Sequence, residues 1–172
     1  ANKALICEHG SEILATARRH GGHFLFEASV AGGIPIIKAL RQGLVANRVD
    51  RIYGILNGTC NYILSTMESA GRDFADVLSE AQALGYAESD PSFDIDGVDA
   101  AHKLSILASL AFGTAIDFDG VDVRGIRHVI AADIVEAQAL GHRIRLVGMA
   151  EANEAGLFQR IHPCLVPLAH PL

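Results

Sequence analysis

Lysine is scarce in this sequence. Of its 14 basic residues only three, Lys3, Lys38 and Lys103, are lysines, and the rest are arginines. Arginine keeps its proton in a protein, whereas lysine can release one. Each of the three lysines is therefore a candidate for a role in which a proton moves.

Other shortages disfavour whole classes of function. The formal net charge of −6 argues against nucleic-acid binding, which needs a basic face. The longest uncharged apolar run, Leu104 to Ile116, is too short to span a bilayer. Cys7, Cys60 and Cys164 are far apart, odd in number and without a CxxC pair. They predict neither a zinc site nor a disulfide framework, and a reducing, cytoplasmic setting is the simplest interpretation.

The sequence also lacks the motif of a dinucleotide-binding loop. Such a loop reads G-x-G-x-x-G between a strand and a helix. The nearest stretch, VAGGIPI at residues 30–36, has adjacent glycines and lacks the third. These 172 residues therefore carry no recognisable dinucleotide site.

Hydrophobic periodicity and turn residues predict helices and strands that alternate along the chain. Helices are predicted within residues 11–21, 31–44, 57–71, 72–85, 98–112 and 132–141, and strands at 23–30, 49–56, 142–152 and 156–166. The last two strands are adjacent and can pair as a hairpin. We therefore expect one domain, residues 1–172, with an α+β fold in which helices cover a mixed β-sheet.

Two local predictions are specific. Ser11 is expected to cap the first helix, which stops at Gly21. The stretch HFLFEASV, residues 23–30, is rich in aromatic and aliphatic side chains and predicts a strand.

The stretch GYAESDPSFDIDGVDAAHK, residues 85–103, is the most unusual of the chain. It gathers five carboxylates, Glu88, Asp90, Asp94, Asp96 and Asp99. A calcium loop of the EF-hand type would place Lys103 at the twelfth position, where a bidentate glutamate is required. A cation cannot bind a cation, so calcium is excluded there, while a solvated acidic loop stays open.

The helix after the acidic loop favours a functional site. Residues 104–112 carry no charge, which predicts a buried helix. Asp99 and Lys103 lie one turn apart in its first turns, in the favourable acid-before-base order. A partly buried ammonium beside a carboxylate is a candidate proton-transfer group, and nearby carboxylates suit a substrate that bears an ammonium. An ordinary ion pair on a helix surface explains the same spacing, so both interpretations stay open.

The run A-x-x-x-G-Y-A-x-x-D-P-x-x-D-I-x-G-x-D-x-x-x-K resembles the signature of homoserine dehydrogenases. Its signature positions are filled by Ala81, Gly85, Asp90, Pro91, Asp94, Gly97, Asp99 and Lys103. The stretches ANKAL, FEASVAGGIPII and YGILNGTCNYIL resemble three further segments of that family, in the expected order. The resemblance runs from Ala1 to about Glu151 and more weakly to the end.

The resemblance implies an activity. Members of the family interconvert L-homoserine and L-aspartate 4-semialdehyde with NAD(P), on the route to threonine, methionine and isoleucine. Residues 1–172 would be the substrate-binding, catalytic and dimerisation domain of a homodimer. We expect the dinucleotide-binding half to lie outside these residues, so that the isolated chain is inactive. The alternative is a non-catalytic, stand-alone domain for dimerisation or amino-acid sensing.

The resemblance also implies roles for individual residues. Lys103 would exchange a proton with the substrate oxygen, and Lys3 is a second acid–base candidate near the nicotinamide. The substrate-binding positions would be Glu88, Asp94, Asp99, Tyr86 and Thr59. The cofactor-binding positions would be Lys3, Gly85, Asn57 and Gly58.

A sodium ion is the last implied ligand. The turn EASVAGGIP resembles the family's sodium-binding turn, with Glu27, Val30, Gly32 and Ile34 in the matching places. Hard cations take carboxylate and carbonyl oxygens, and glycine lets carbonyls converge. A plain strand-to-helix turn with a buried glutamate is the alternative.

Overall fold

The structure, a computed structural model, describes residues 2–172. Ala1, where the resemblance to the family begins, lies outside the described residues. Within the described part, no helix has both the length and the apolar character needed to cross a membrane.

Helices and strands are interleaved, as the sequence predicts. The helices are α1 (Lys3–Arg19), α2 (Ile36–Lys38), α3 (Gly58–Ala70), α4 (Phe74–Ala83), α5 (Ser92–Ile95), α6 (Val98–Phe112) and α7 (Ala131–Ala139). The strands are β1 (Arg51–Gly54), β2 (Val121–Val123), β3 (His142–Asn153) and β4 (Gly156–Pro167).

Among residues 2–172 these strands form a four-stranded sheet in the order β1-β3-β4-β2. Strands β3 and β4 are neighbours joined by two residues, which makes them the predicted hairpin. The predicted α+β fold with a mixed sheet is confirmed.

Helix α6 has the predicted bounds, residues 98–112, and includes the uncharged run at 104–112. Leu104, Ile106 and Ala108 are at most 1% exposed, so much of the helix surface is covered. Burying each of the two larger side chains contributes about 1.5–3 kcal/mol.

Two predictions near the N-terminus are wrong. Helix α1 begins at Lys3 and not at the predicted cap, Ser11, because the Asn2 carboxamide oxygen accepts hydrogen bonds from the backbone N–H groups of Ala4 at 2.9 Å and Leu5 at 3.4 Å. Asparagine at this position satisfies helix N–H groups that otherwise lack partners.

The predicted strand at residues 23–30 is also absent from the described structure. Residues Glu27–Ser29 form a single 3₁₀ turn, and Leu25 is 80% exposed. A strand needs a neighbouring strand to pair with, and no strand within residues 2–172 pairs with this segment.

The chain divides into two compact units. In the described part, the first comprises residues 2–52, 101–121 and 149–159, and the second comprises 53–100, 122–148 and 160–172. Each unit is assembled from three separate stretches of the chain. That residues 1–172 act as one catalytic domain stays a prediction.

The second unit carries most of the predicted site residues on a helical core. Helix α3 packs against α4, α5 and α7. The contacts include side chains that are at most 1% exposed, namely Cys60, Ile63, Leu64, Met67, Val77, Ala81 and Ile95. This packing gives the start of α3 a fixed position next to the acidic segment.

Candidate functional site

The site begins at Asn57, the residue that caps α3. Its carboxamide oxygen accepts a hydrogen bond from the backbone N–H of Cys60 at 2.8 Å. Asparagine is among the preferred residues for this position. Because the oxygen faces the helix, the amide nitrogen of the same side chain points away from it.

That nitrogen joins two carboxylates. Nδ2 of Asn57 donates to Oδ1 of Asp94 at 2.7 Å and to Oδ2 of Asp99 at 2.8 Å. Asn57 is 4% exposed and Asp99 is 5% exposed. A buried carboxylate is costly without hydrogen-bond partners, and the amide supplies part of that need.

Thr59 contacts the second oxygen of the Asp94 carboxylate. Its hydroxyl lies 3.0 Å from Oδ2 of Asp94 and 3.0 Å from the carbonyl oxygen of Tyr86. A hydroxyl has one proton, so it can donate to one of these acceptors at a time. Both oxygens of Asp94 are thus within hydrogen-bond distance of residues at the start of α3.

Cys60 lies beneath this cluster and stays a neutral thiol. Its Sγ donates to the backbone carbonyl oxygen of Asp94 at 3.2 Å. Burial, and then the negative charges of Asp94 and Asp99, raise the pKa of Cys60 to about 12. The thiolate is the nucleophilic form, so Cys60 supplies no nucleophile near neutral pH.

The segment after α4 is fixed by a helix C-terminal motif. Gly85 has a positive φ of 75°, and the N–H groups of Gly85 and Tyr86 donate to the carbonyl oxygens of Gln82 and Ala81. This is the Schellman arrangement, in which glycine takes the left-handed position without a Cβ penalty. Gly85 therefore has a structural role whether or not it contacts a cofactor.

Two side chains hold the rest of that segment. Nε2 of Gln82 donates to the carbonyl oxygens of Glu88 at 3.0 Å and Ser89 at 3.2 Å. The rings of Tyr62 and Tyr86 lie 4.9 Å apart between centroids. Glu88 itself is exposed, so the backbone on which it sits is held while its carboxylate faces solvent.

The remaining carboxylates of the acidic stretch have structural partners. Arg127 forms an ion pair with Asp96, and its guanidinium also donates to the hydroxyl oxygen of Ser92 at 2.8 Å. Asp90 accepts the backbone N–H of Ser92 at 3.1 Å. Hydrogen bonds from Ser92, together with the more distant charge of Arg127, lower the pKa of Asp90.

The five carboxylates therefore divide into three groups. Asp94 and Asp99 form a partly buried pair, Asp90 and Asp96 fold the segment, and Glu88 is exposed. The sequence motif predicted that chemistry would be found here. It gave no sign of the parts played by Gln82 or Arg127.

The two candidate acid–base lysines belong to the first unit. Lys103 is partly buried and follows Asp99 by four residues on α6, so the helix places both on one face. Lys3 is the first residue of α1 and is also partly buried. Lys38 is exposed, in keeping with the absence of a predicted role.

The predicted sodium turn also lies in the first unit. Both carboxylate oxygens of Glu27 accept backbone N–H groups, from Ile37 at 2.8 Å and from Lys38 at 2.9 Å. Ala31 and Gly32 both have left-handed backbones, with φ of 58° and 57°. The Val30 and Ile34 positions flank this left-handed pair, and the carbonyl oxygen of Ile34 accepts the N–H of Ile36 at 2.8 Å.

Three of the predicted cofactor-binding positions, Asn57, Gly58 and Gly85, lie in the second unit. Gly58 opens α3 and is exposed, with free space where a Cβ would stand, and the same holds for Gly85. The side chain of Asn57 is already bonded, so a cofactor contact at this position would come from the backbone.

The arrangement of Asn57, Asp94 and Asp99 in the second unit is typical of a binding site for a small polar molecule. Carboxylates held around a polar amide suit a small molecule that carries a positive charge and hydrogen-bond donors.

Comparison with known proteins identifies the family to which this site belongs. The family model for homoserine dehydrogenase matches residues 35–172. The chain is 58% identical over 167 residues to the homoserine dehydrogenase of Pseudomonas aeruginosa and 53% identical over 167 residues to that of Neisseria gonorrhoeae. Each match covers 97% of this chain and 38% of the relative.

Solved structures of homoserine dehydrogenases also match this chain. The homoserine dehydrogenase of Thiobacillus denitrificans matches with a TM-score of 0.97 at 52% identity, over 99% of this chain and 39% of that one. A hyperthermophilic archaeal homoserine dehydrogenase in complex with NADPH matches with a TM-score of 0.84 at 31% identity, over 99% and 49%. The chain belongs to the homoserine dehydrogenase family, and it spans less than half the length of these relatives.

Proposed function

We propose that this chain is the substrate-binding and catalytic domain of a homoserine dehydrogenase. The full-length protein would interconvert L-homoserine and L-aspartate 4-semialdehyde with NAD(P). The observation that carries the proposal is the Asp94–Asn57–Asp99 cluster, which ends on the helix that presents Lys103.

Substrate recognition would rest on the carboxylates. Homoserine carries an ammonium and a hydroxyl group, both of which donate hydrogen bonds. Asp99 and the exposed Glu88 would receive these donors, and Asp94 would support Asp99. Hydrogen bonds between ionised partners are roughly twice as strong as neutral ones, which favours an ammonium-bearing substrate.

Tyr86 and Thr59 would shape the site. The hydroxyl of Thr59 already contacts Asp94 and the backbone of Tyr86, so we assign it to holding that carboxylate. Tyr86 is 57% exposed, and its ring would contact the substrate's carbon chain.

Proton transfer would be the work of Lys103. In the oxidation direction its amine accepts the proton of the substrate's hydroxyl, and in the reduction direction its ammonium returns it. NAD(P), when bound, supplies the acceptor or donor of the hydride. Lys3, Gly85, Gly58 and the backbone of Asn57 would contact the nicotinamide end, and Lys3 is a second acid–base candidate.

The proposal extends to assembly and location. A homodimer would form through the sheet, and strand β4 carries two large apolar side chains, Phe158 and Leu165, that are 54% and 55% exposed. The aspartate-family pathway and a cytoplasmic location follow from the same assignment. Light scattering of the full-length protein is expected to give a dimer, and a monomer at high concentration would contradict this part.

The test of the activity uses the full-length protein. It is expected to oxidise homoserine with formation of reduced nicotinamide, whereas the 172-residue chain alone is expected to show no measurable turnover because the two reactants are not positioned together. Binding of homoserine to the full-length protein without turnover would instead favour a non-catalytic amino-acid-sensing domain. Turnover by the isolated chain would contradict our account of the cofactor site.

A further inference from the structure

Asn57 uses every polar position of its side chain. A carboxamide offers an oxygen that accepts and a nitrogen that donates twice. Here the oxygen accepts from the Cys60 N–H, and the nitrogen donates to Asp94 and Asp99, all within 2.8 Å.

The orientation of this carboxamide is determined by its surroundings. The backbone N–H of Cys60 can only donate, so the oxygen must face α3. Two carboxylate oxygens can only accept when ionised, so the nitrogen must face them. The reversed orientation would place donor against donor and acceptor against acceptor at three contacts.

Like charges meet at this point of the fold. Oδ1 of Asp94 and Oδ2 of Asp99 contact the same nitrogen, so the two carboxylates lie close enough to repel each other. Asn57 offsets that repulsion, because its amide nitrogen donates one hydrogen bond to each carboxylate. The amide also fixes the direction in which each carboxyl group is turned.

We infer that Asn57 is a positioning residue, which holds Asp94 and Asp99 in the single arrangement that receives the substrate. Its effect on turnover rests on the proposed function, while its effect on the two carboxylates does not. The competing explanation is that Asn57 serves only as the cap of α3. Serine and aspartate are about as good as asparagine at a helix N-cap, so they separate the two roles.

The experiment compares Asn57→Ser and Asn57→Asp in the full-length protein. Both variants keep an oxygen for the Cys60 N–H, and both lose the NH₂ group that bridges the two carboxylates. The serine hydroxyl has a single proton, so it cannot donate to both carboxylates at once. Asn153→Ser is the matched control, because Asn153 makes a similar side-chain contact, to the N–H of Ala155 at 2.8 Å, in the β3–β4 turn.

We expect kcat/KM for homoserine to fall about 100-fold in both Asn57 variants, since small displacements of positioned groups cost this much. The control should stay within about twofold of the wild type, as surface substitutions usually do. In Asn57→Asp the acid limb of the kcat/KM profile should also move to higher pH than in Asn57→Ser, because a third carboxylate resists ionisation of the cluster. Wild-type kcat/KM with an unchanged pH profile in both variants would overturn the inference.

Failure of the proposed function gives a different result. In that case the wild-type protein does not oxidise homoserine, whether or not it binds it, and crystal structures of the variants decide the role of Asn57. The positioning role predicts that the carboxyl group of Asp99 turns away from its wild-type direction in Asn57→Ser. If Asp94 and Asp99 keep their wild-type directions in both variants, Asn57 is a helix cap and the inference is wrong. Because asparagine and aspartate have the same shape, Asn57→Asp keeps the test available if Asn57→Ser does not fold.

Discussion

Two carboxylate regions of this molecule are held in different ways. In the second unit, Asp94 and Asp99 receive hydrogen bonds from the side chain of Asn57. In the first unit, Glu27 receives both of its hydrogen bonds from backbone N–H groups, those of Ile37 and Lys38. Both regions are candidate ligand sites on the sequence alone.

The difference separates two uses of a carboxylate. Backbone donors exist wherever a helix begins, so Glu27 has a sufficient structural reason to be there. A side-chain donor that holds two carboxylates together has no such general reason, because keeping like charges close costs free energy. That cost is expected where a ligand with the opposite charge binds, and this is what we propose for the second unit.

The largest effect is expected at Lys103, which tests whether the carboxylate cluster belongs to a catalytic site. Lys103→Met in the full-length protein should lower kcat for homoserine oxidation by about two to four orders of magnitude, the usual contribution of a general acid–base group. Lys103→Arg should fail nearly as badly, because a guanidinium does not release its proton near neutral pH. Steady-state kinetics measure both.

The control for this change is Lys38→Met, at an exposed lysine of α2. It should leave kcat within about twofold, as expected of a surface substitution. All three variants should keep the wild-type melting temperature within a few degrees, since methionine and arginine are good helix formers. Near-wild-type turnover in Lys103→Arg would contradict the acid–base role of Lys103.

An intermediate effect, on stability, is expected at Gly97, which lies in the fold that supports the Asp94–Asn57–Asp99 cluster. Gly97 has a φ of 87°, and a Cβ there would lie 3.0 Å from Cγ1 of Val123 and 3.2 Å from Cγ2 of Ile161. Gly97→Ala should therefore lower the free energy of unfolding by about 2–4 kcal/mol, from backbone strain and overpacking together. Chemical denaturation measures this loss.

Gly71→Ala isolates the backbone part of that loss. Gly71 ends α3 with a φ of 62°, and no atom lies within 4 Å of the place where its Cβ would stand. We expect this variant to lose about 1–2 kcal/mol, from the left-handed conformation alone. Equal losses at Gly97 and Gly71 would show that the packing around Gly97 yields easily, and that the support beneath the cluster is less rigid than we describe.

Local sequence patterns predicted much of this structure. Helix α6 was placed correctly because its uncharged run is long and continuous, and the acidic segment was recognised from spacing within nineteen residues. The amide that organises the site was not predicted, because Asn57 lies 37 and 42 positions from Asp94 and Asp99. Contacts over such distances depend on tertiary packing, which residue spacing does not encode.

The strand predicted at residues 23–30 failed for a related reason. Its aromatic and aliphatic residues fit a strand, but a strand also needs a neighbour, and pairing depends on distant parts of the chain. The short elements α5 and β2 were missed because four and three residues carry too little periodicity to be recognised.

The smallest effect is expected at Glu27, and it decides whether the two carboxylate regions differ in use as well as in bonding. Glu27→Gln replaces one carboxylate oxygen with an NH₂ group, so one of the two backbone hydrogen bonds is lost at a cost of about 1 kcal/mol. If the turn also binds sodium, the melting temperature of the full-length wild type should rise with added sodium at constant ionic strength, and Glu27→Gln should abolish that rise. Glu12→Gln, at an exposed glutamate of α1, is the matched control and should keep the sodium response. If added sodium does not change the melting temperature of the wild type, Glu27 is a structural carboxylate. Glu27 would then differ from Asp94 and Asp99 in use as well as in bonding.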